Sequence, residues 1–262
     1  MIETGFSLQD LEYYLLIVVR VSCFVFAAPF FGTNNVPRRV KVGFSVLLAF
    51  LLYQFVVPHL VLPYNTVIGY GILVLKEAIA GILLGFSGNL CLYLLQFAGS
   101  LIDMDVGLSM VNMMDPLTQQ TMGFSGTLYQ NALMLMLLAS NMHHWILRAF
   151  IDSYELIPTG RIAFNMDHLV NSFVRFMGEY FSISFRIFLP VFGAMLILNV
   201  VLGVMAKAAP QMNMFTVGVQ IKIMVGLGTL FVTVSLIPRL ADFLFEEMKE
   251  MMRLFAGGMG SL

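Results

Sequence analysis

Ala98-Gly99-Ser100-Leu101-Ile102-Asp103-Met104-Asp105-Val106-Gly107-Leu108-Ser109-Met110-Val111-Asn112-Met113-Met114-Asp115-Pro116 joins two apolar runs that are each long enough to cross a bilayer. Met104, Met110, Met113 and Met114 fall within eleven residues, a density that water-exposed loops seldom carry. Methionine is unbranched and polarizable, so it suits surfaces that close against variable partners. Gly107 and Pro116 interrupt any continuous helix through the stretch. A flexible apolar loop held at membrane depth fits the closure of a pore better than it fits a solvent connection.

Composition agrees with that depth. The chain is 59% hydrophobic and 11% charged, against about 25% charged in a soluble domain, so the expectation is an all-α integral membrane protein. The net charge of −1 offers no basic surface for nucleic acid. Glu3, Asp10 and Glu12 occupy the opening residues where a secretory signal would carry basic ones, so no signal is expected there. Cys23 and Cys91 both lie in apolar runs and read as buried thiols, not as a disulfide framework.

A spanning helix needs about 20 apolar residues. Six segments qualify: 13–31, 42–62, 67–102, 124–142, 181–206 and 223–238. The third is too long for one span and reads either as a hairpin or as a helix that projects beyond the bilayer. Its Gly81-x-x-x-Gly85 allows close approach of another helix. The polar region 143–180 contains a turn at Pro158-Thr159-Gly160-Arg161 and divides an N-terminal half, 1–180, with a central loop at about 103–123, from a C-terminal half, 181–262, read as a helical hairpin and an amphipathic tail. Proline restricts its neighbour and donates nothing to the helix ladder, so a break is expected at Ala209-Pro210-Gln211.

Charge distribution fails to orient these segments. With alternating spans, Arg38, Arg39, Lys41, Lys207 and Lys222 fall on one side and Arg148, Arg161, Arg175, Arg239, Lys249 and Arg253 on the other. This is no positive-inside bias, so either the segments are misdrawn or the helices do not thread the bilayer in the ordinary way. Arg20, Lys76, Glu77 and Arg186 lie inside apolar runs, where a charge costs at least about 2.5–3.5 kcal/mol. Snorkelling accounts for some of these; salt bridging between subunits of an assembly accounts for all of them together. With Lys207 and Lys222, they are expected to face protein or water and not lipid.

Catalytic signatures are sparse. The sequence has neither a G-x-x-x-x-G-K-[ST] loop nor H-E-x-x-H. His143 and His144 are adjacent and point to different helix faces, and Trp145 beside them suits a membrane-interface position. Gly123-Phe124-Ser125-Gly126 has a rhomboid-protease look, but that chemistry needs a histidine from a later helix and the C-terminal apolar segments contain none. No metal or other cofactor is expected.

From Arg20 the chain runs Arg20-Val21-Ser22-Cys23-Phe24-Val25-Phe26-Ala27-Ala28-Pro29-Phe30-Phe31-Gly32-Thr33-Asn34-Asn35-Val36-Pro37-Arg38-Arg39-Val40-Lys41. Further on come Ala98-Gly99, Ile102-Asp103, Gly107-Leu108-Ser109 and Asp115-Pro116. The last blocks are Leu198-Asn199, Gly203, Ala209-Pro210-Gln211-Met212-Asn213-Met214-Phe215 and Gly226-Leu227. Together, in this order, they resemble the FliR family of flagellar type III export-gate subunits, whose cousin is the injectisome T subunit. One departure is Met142 in Asn141-Met142-His143-His144, where the family often has glycine; this bears on the local turn.

The resemblance implies a non-catalytic, channel-forming subunit of the bacterial cytoplasmic membrane and flagellar basal body. Its first part would be FliP-like and its C-terminal hairpin FliQ-like. It would be assembled with FliP-type and FliQ-type subunits and work beside FlhA-type and FlhB-type export proteins. Unfolded flagellar proteins would pass through, with membrane lipid around it and no nucleic acid. An assembly standing partly out of the membrane plane would explain the missing charge bias. Residues 107–122 would plug the channel, with Met110, Val111, Met113 and Met114 as the seal, Gly107 as a flexible entry and Asp115-Pro116 as a stiff return. Arg20, Arg38, Arg39, Lys76, Glu77, Arg186, Lys207 and Lys222 would be interface or buried charges. From the residues alone, a transporter gate fits the loop equally well. An injectisome subunit and a stand-alone small-solute transporter are the alternatives.

Overall fold

Long apolar runs dictate helices, which satisfy every backbone group internally in an apolar medium, and helices are what the described residues form. The computed structural model describes residues 8–33, 36–55, 64, 66–109, 123–209, 211 and 214–260. Their elements are α1 (Leu8–Ala27), α2 (Arg38–Phe55), α3 (Val67–Val106), α4 (Phe124–Ala139), α5 (Met142–Leu156), α6 (Met166–Ala208), α7 (Met214–Val234) and α8 (Ile237–Met259). The protein is an all-α membrane protein. Among the described residues, three helices have the length and apolarity to cross a bilayer: Val67–Val106, Met166–Ala208 and, within α7, Thr216–Thr233.

Several expected segments are redrawn. Residues 67–102 belong to one unbroken helix of 40 residues, so the hairpin alternative is overturned. At 1.5 Å per residue α3 is about 60 Å long, twice the roughly 30 Å hydrocarbon thickness. The segment expected at 181–206 begins fifteen residues earlier, at Met166, because Asp167, His168, Arg175 and Glu179 lower the apparent hydropathy of its first turns without interrupting the helix. Pro190 lies inside α6; its missing N–H leaves the Arg186 carbonyl without a ladder partner. The segment expected at 223–238 crosses a corner at Ser235-Leu236, after which Pro238 sits in the first turn of α8, where it costs no internal hydrogen bond. Segments 13–31 and 124–142 end earlier, at Ala27 and Ala139, and 42–62 begins earlier, at Arg38.

The break after Ala208 is present: α6 ends there and α7 starts at Met214, although Pro210 lies outside the described residues. Leu202 and Gly218, equally far from position 210, approach so that a Cβ on Gly218 would meet Leu202 Cδ1 at 3.6 Å. That is the contact of an antiparallel hairpin. At the α4–α5 corner Asn141 adopts a left-handed backbone with φ 57°. Asparagine tolerates that region, so the turn does not need a glycine in place of Met142.

Two compact units interleave along the chain. The first gathers Met1–Leu90, Asn141–Phe176 and Glu246–Leu262; the second gathers Cys91–Ser140 and Met177–Phe245. The sequence boundary at 180/181 falls within α6, which continues through it. In the first unit Leu16, Ile17, Phe24, Leu84, Ile146, Phe150 and Phe255 are buried together, and the Phe24 and Phe150 rings stack at 4.0 Å. Residues 163 and 165 hydrogen-bond the end of α8, Ala163 N–H to Met259 O at 3.3 Å and Asn165 N–H to Gly258 O at 2.9 Å. In the second unit Leu94, Leu95, Ile102, Leu133, Val191 and Leu230 form the buried apolar set.

Candidate functional site

Two polar arrangements stand out because burying them is expensive unless they are paired. The first lies in the first unit, along one face of α3. Glu77, Gly81 and Gly85 recur every four residues and so share that face, which packs on α1. A Cβ on Gly81 would strike the Arg20 carbonyl, and one on Gly85 would lie 2.8 Å from Ala27 Cβ and from Phe24 O. The two glycines let the helix backbones meet.

At the head of this seam Arg20 and Glu77 are fully buried. Arg20 Nε donates to Glu77 Oε2 at 2.5 Å, Arg20 Nη1 donates to the Ile157 carbonyl at 2.8 Å, and the guanidinium lies 4.4 Å from the centre of the Tyr154 ring. Glu77 Oε1 accepts the Gly160 N–H at 2.7 Å. Gly160 has φ +79°, a conformation that favours glycine, and it lies in the turn closed by Arg161 N–H to Pro158 O at 3.1 Å. Burial pushes the Tyr154 hydroxyl well above its usual range, so it stays neutral beside the cation. Lys76, about 100° round the helix from Glu77, donates to the Ile162 carbonyl at 3.2 Å. Adjacent charges thus grip the same connection, and Arg20 and Glu77 pair within one chain, while the buried Arg20 Nη2 has no hydrogen-bond partner among the described residues. For these two the expectation of inter-subunit bridging gives way to an internal pair, because the glycine seam brings α1 within reach.

The second arrangement, in the second unit, holds both ends of the methionine-rich stretch. α3 continues through Val106, so residues 103–106 of the expected loop are helical; the helix then stops at Gly107 with φ +91°. Gly107 N–H and Ser109 Oγ both donate to the Asp103 carbonyl, at 3.1 and 3.0 Å. The Asp103 carboxylate is buried. Its Oδ1 accepts Ser125 Oγ at 2.5 Å, and the Ser125 N–H lies 3.2 Å from both oxygens. The N-cap residue of α4 is Gly123, which has no side chain to cap with; Asp103 supplies the cap from another helix and places a negative charge at the positive helix end. A Cβ on Gly99 would fall on the Gly126 backbone, and Gln96 Nε2 donates to Gln130 Oε1 at 2.7 Å. The Gly-Phe-Ser-Gly tetrapeptide is thereby the capped start of a tightly packed helix. Gly107, Leu108 and Ser109 are half-buried; Met110, Val111, Asn112, Met113, Met114, Asp115 and Pro116, with the rest of 110–122, lie outside the described residues.

The other anticipated charges scatter. Arg38 and Arg39 are exposed in the first turn of α2, the helix end where the dipole disfavours cations. Arg186 is exposed on α6 at the edge of an apolar cavity of about 250 Å³ that includes Tyr129, Pro190 and Phe243. Lys207 is exposed in the last turn of α6, where the dipole favours it. Lys222 on α7 is half-buried and faces the charge of Asp105. Sequence reasoning missed the roles of Tyr154, Gly160 and Ser125; the available signals were Arg20 and Glu77, charges in apolar runs that need partners, and Asp103, which stood out only in the family pattern.

Long apolar helices with a buried internal ion pair define the class, a multi-helix membrane protein built around buried polar clasps. The sequence matches the family described as bacterial export proteins, family 1, over residues 11–248. It is 30% identical to the flagellar biosynthetic protein FliR of Bacillus subtilis (strain 168) over 92% of this chain and 93% of that protein. It is 31% identical to FliR of Aquifex aeolicus (strain VF5) over 92% of each, and 26% identical to FliR of Escherichia coli (strain K12) over 92% of this chain and 91% of that one. The chain belongs to the FliR family of bacterial export proteins.

Proposed function

We propose that this chain is a non-catalytic, channel-forming subunit of the flagellar type III protein export gate, passing unfolded proteins across the bacterial cytoplasmic membrane at the flagellar basal body. The observation that carries the reading is likeness along almost the whole length to proteins named for flagellar biosynthesis. The apolar surface is in keeping with it: only 17% of the most apolar window of α6, and the same share of that of α7, is buried within the chain, so these helices need cover from other subunits or from lipid. In this reading residues 1–180 are the FliP-like part and 181–262 the FliQ-like hairpin and tail. The partners are FliP-type and FliQ-type subunits, with FlhA-type and FlhB-type proteins beside them.

Tagged chain extracted from the membrane is expected to bring FliP-type and FliQ-type subunits in a fixed ratio, read by native mass spectrometry. Recovery of the chain alone, with solute uptake in vesicles, would favour a transporter and sink the proposal. The same reading makes 107–122 the channel plug, anchored at Asp103 and Ser125. Deleting 110–114 is expected to raise ion leakage across the membrane while assembly persists. Unchanged conductance in complexes shown to be assembled would put the closure elsewhere.

A further inference from the structure

In the first unit, Trp145, Arg148 and Asp152 of α5 meet Arg253 of α8 around a cavity of about 220 Å³, walled on its apolar side by Leu84 of α3 and Met252. Trp145, Arg148 and Asp152 are spaced to share one face of α5. Arg148 and Arg253 are exposed, and neither makes an ion pair among the described residues. Two guanidinium groups against one carboxylate leave the cavity positive. Lys249, whose ammonium lies 5.6 Å from the centre of the Trp145 ring, adds a cation at the rim, although Glu246 also pairs with it at 2.6 Å.

We propose that this cavity binds the phosphodiester headgroup of an anionic phospholipid. Guanidinium groups match phosphate oxygens in a two-pronged geometry, and basic pockets between membrane helices attract anionic headgroups. Tryptophan favours the headgroup level, where its ring is apolar and its N–H is wet. The apolar wall beside the cations suits the glycerol and first methylenes of a lipid, which an acidic peptide does not offer. Leu84 lies near the middle of α3, but a helix twice as long as the hydrocarbon layer is thick has room for its midpoint at headgroup level.

The test uses the chain in its extracted complex, reconstituted in phosphatidylcholine bilayers doped with phosphatidylglycerol, with retained lipid counted by native mass spectrometry. Wild type is expected to retain phosphatidylglycerol over phosphatidylcholine. Arg148→Gln and Arg253→Gln are each expected to lower that retention about fivefold, and together about thirtyfold. Asp152→Asn removes the one repelling charge and is expected to raise retention, a change that misfolding does not mimic. Equal retention of the two lipids, or unchanged retention in the double variant, would overturn the assignment. So would displacement of the lipid by millimolar inorganic phosphate, which would mark a site for the free anion. A photoreactive residue at position 156 that labels only another protein would make the cavity a subunit interface and overturn it equally.

Discussion

Glu77→Ala is expected to lower accumulation of the chain in the membrane severalfold or more. The substitution leaves the Arg20 guanidinium buried without its carboxylate, and removing one partner of a buried pair costs about 3–5 kcal/mol. Whole domains have only about 5–15 kcal/mol of stability. The Gly160 N–H loses its acceptor as well, so the 158–161 turn loosens with the pair. Because both charges belong to one chain, the loss is expected in the subunit itself, ahead of any effect on assembly. The double variant Arg20→Met/Glu77→Leu, which buries no charge, is expected to accumulate better than Glu77→Ala. Lys76→Ala removes one hydrogen bond from a half-exposed ammonium and is expected to cost only about 1 kcal/mol. Chain levels by immunoblot and thermal unfolding in detergent check all three; normal levels of Glu77→Ala would mean that the charges are not paired in a dry interior.

Gly81→Val is expected to have the next largest effect. Its side chain would meet backbone, the Arg20 carbonyl, and Cys23 Cβ, and neither yields by a rotamer change. Overpacking of this kind costs about 1–3 kcal/mol and sometimes more. The α1 backbone that it pushes away is that of Arg20, whose guanidinium pairs with Glu77 one turn earlier on α3. Gly81→Val and Glu77→Ala damage the same contact, so combined they are expected to cost less than the sum of the two. Additive losses in a double-mutant cycle would show that the glycine seam and the ion pair are independent.

The glycine seam was legible because close helix approach leaves a mark at i and i+4, and the break after Ala208 was legible because proline announces itself. Gly107 was legible as an interruption by residue type, but the segment drawn at 67–102 stopped short of the helix end at Val106. The pairing of Arg20 with Glu77 was not: the two are 57 positions apart, and a charge in an apolar run reveals its need for a partner without naming one. Asp103 was visible as part of a family pattern, while its function as a cap for α4 depends on Ser125 arriving from 22 positions away. The start of α6 at Met166 escaped because an amphipathic opening reads as polar when hydropathy is averaged, although the helix ladder ignores the polarity of the outward side chains.

The interleaving of the two units sets a timetable for synthesis. Residues 1–90 share a unit with Glu246–Leu262, and Ala163 and Asn165 bond to the last turns of α8. At about 5–20 residues per second on the ribosome, the end of α1 emerges about 12–46 s, and the end of α3 about 8–31 s, before the end of the last helix of their unit. During that interval Phe255, Met252 and Met259 are absent from the first core, and its apolar surface stays open to chaperones, lipid or another nascent chain. The last helix therefore works as a latch: a chain without α8 lacks the residues that complete the core of its first unit.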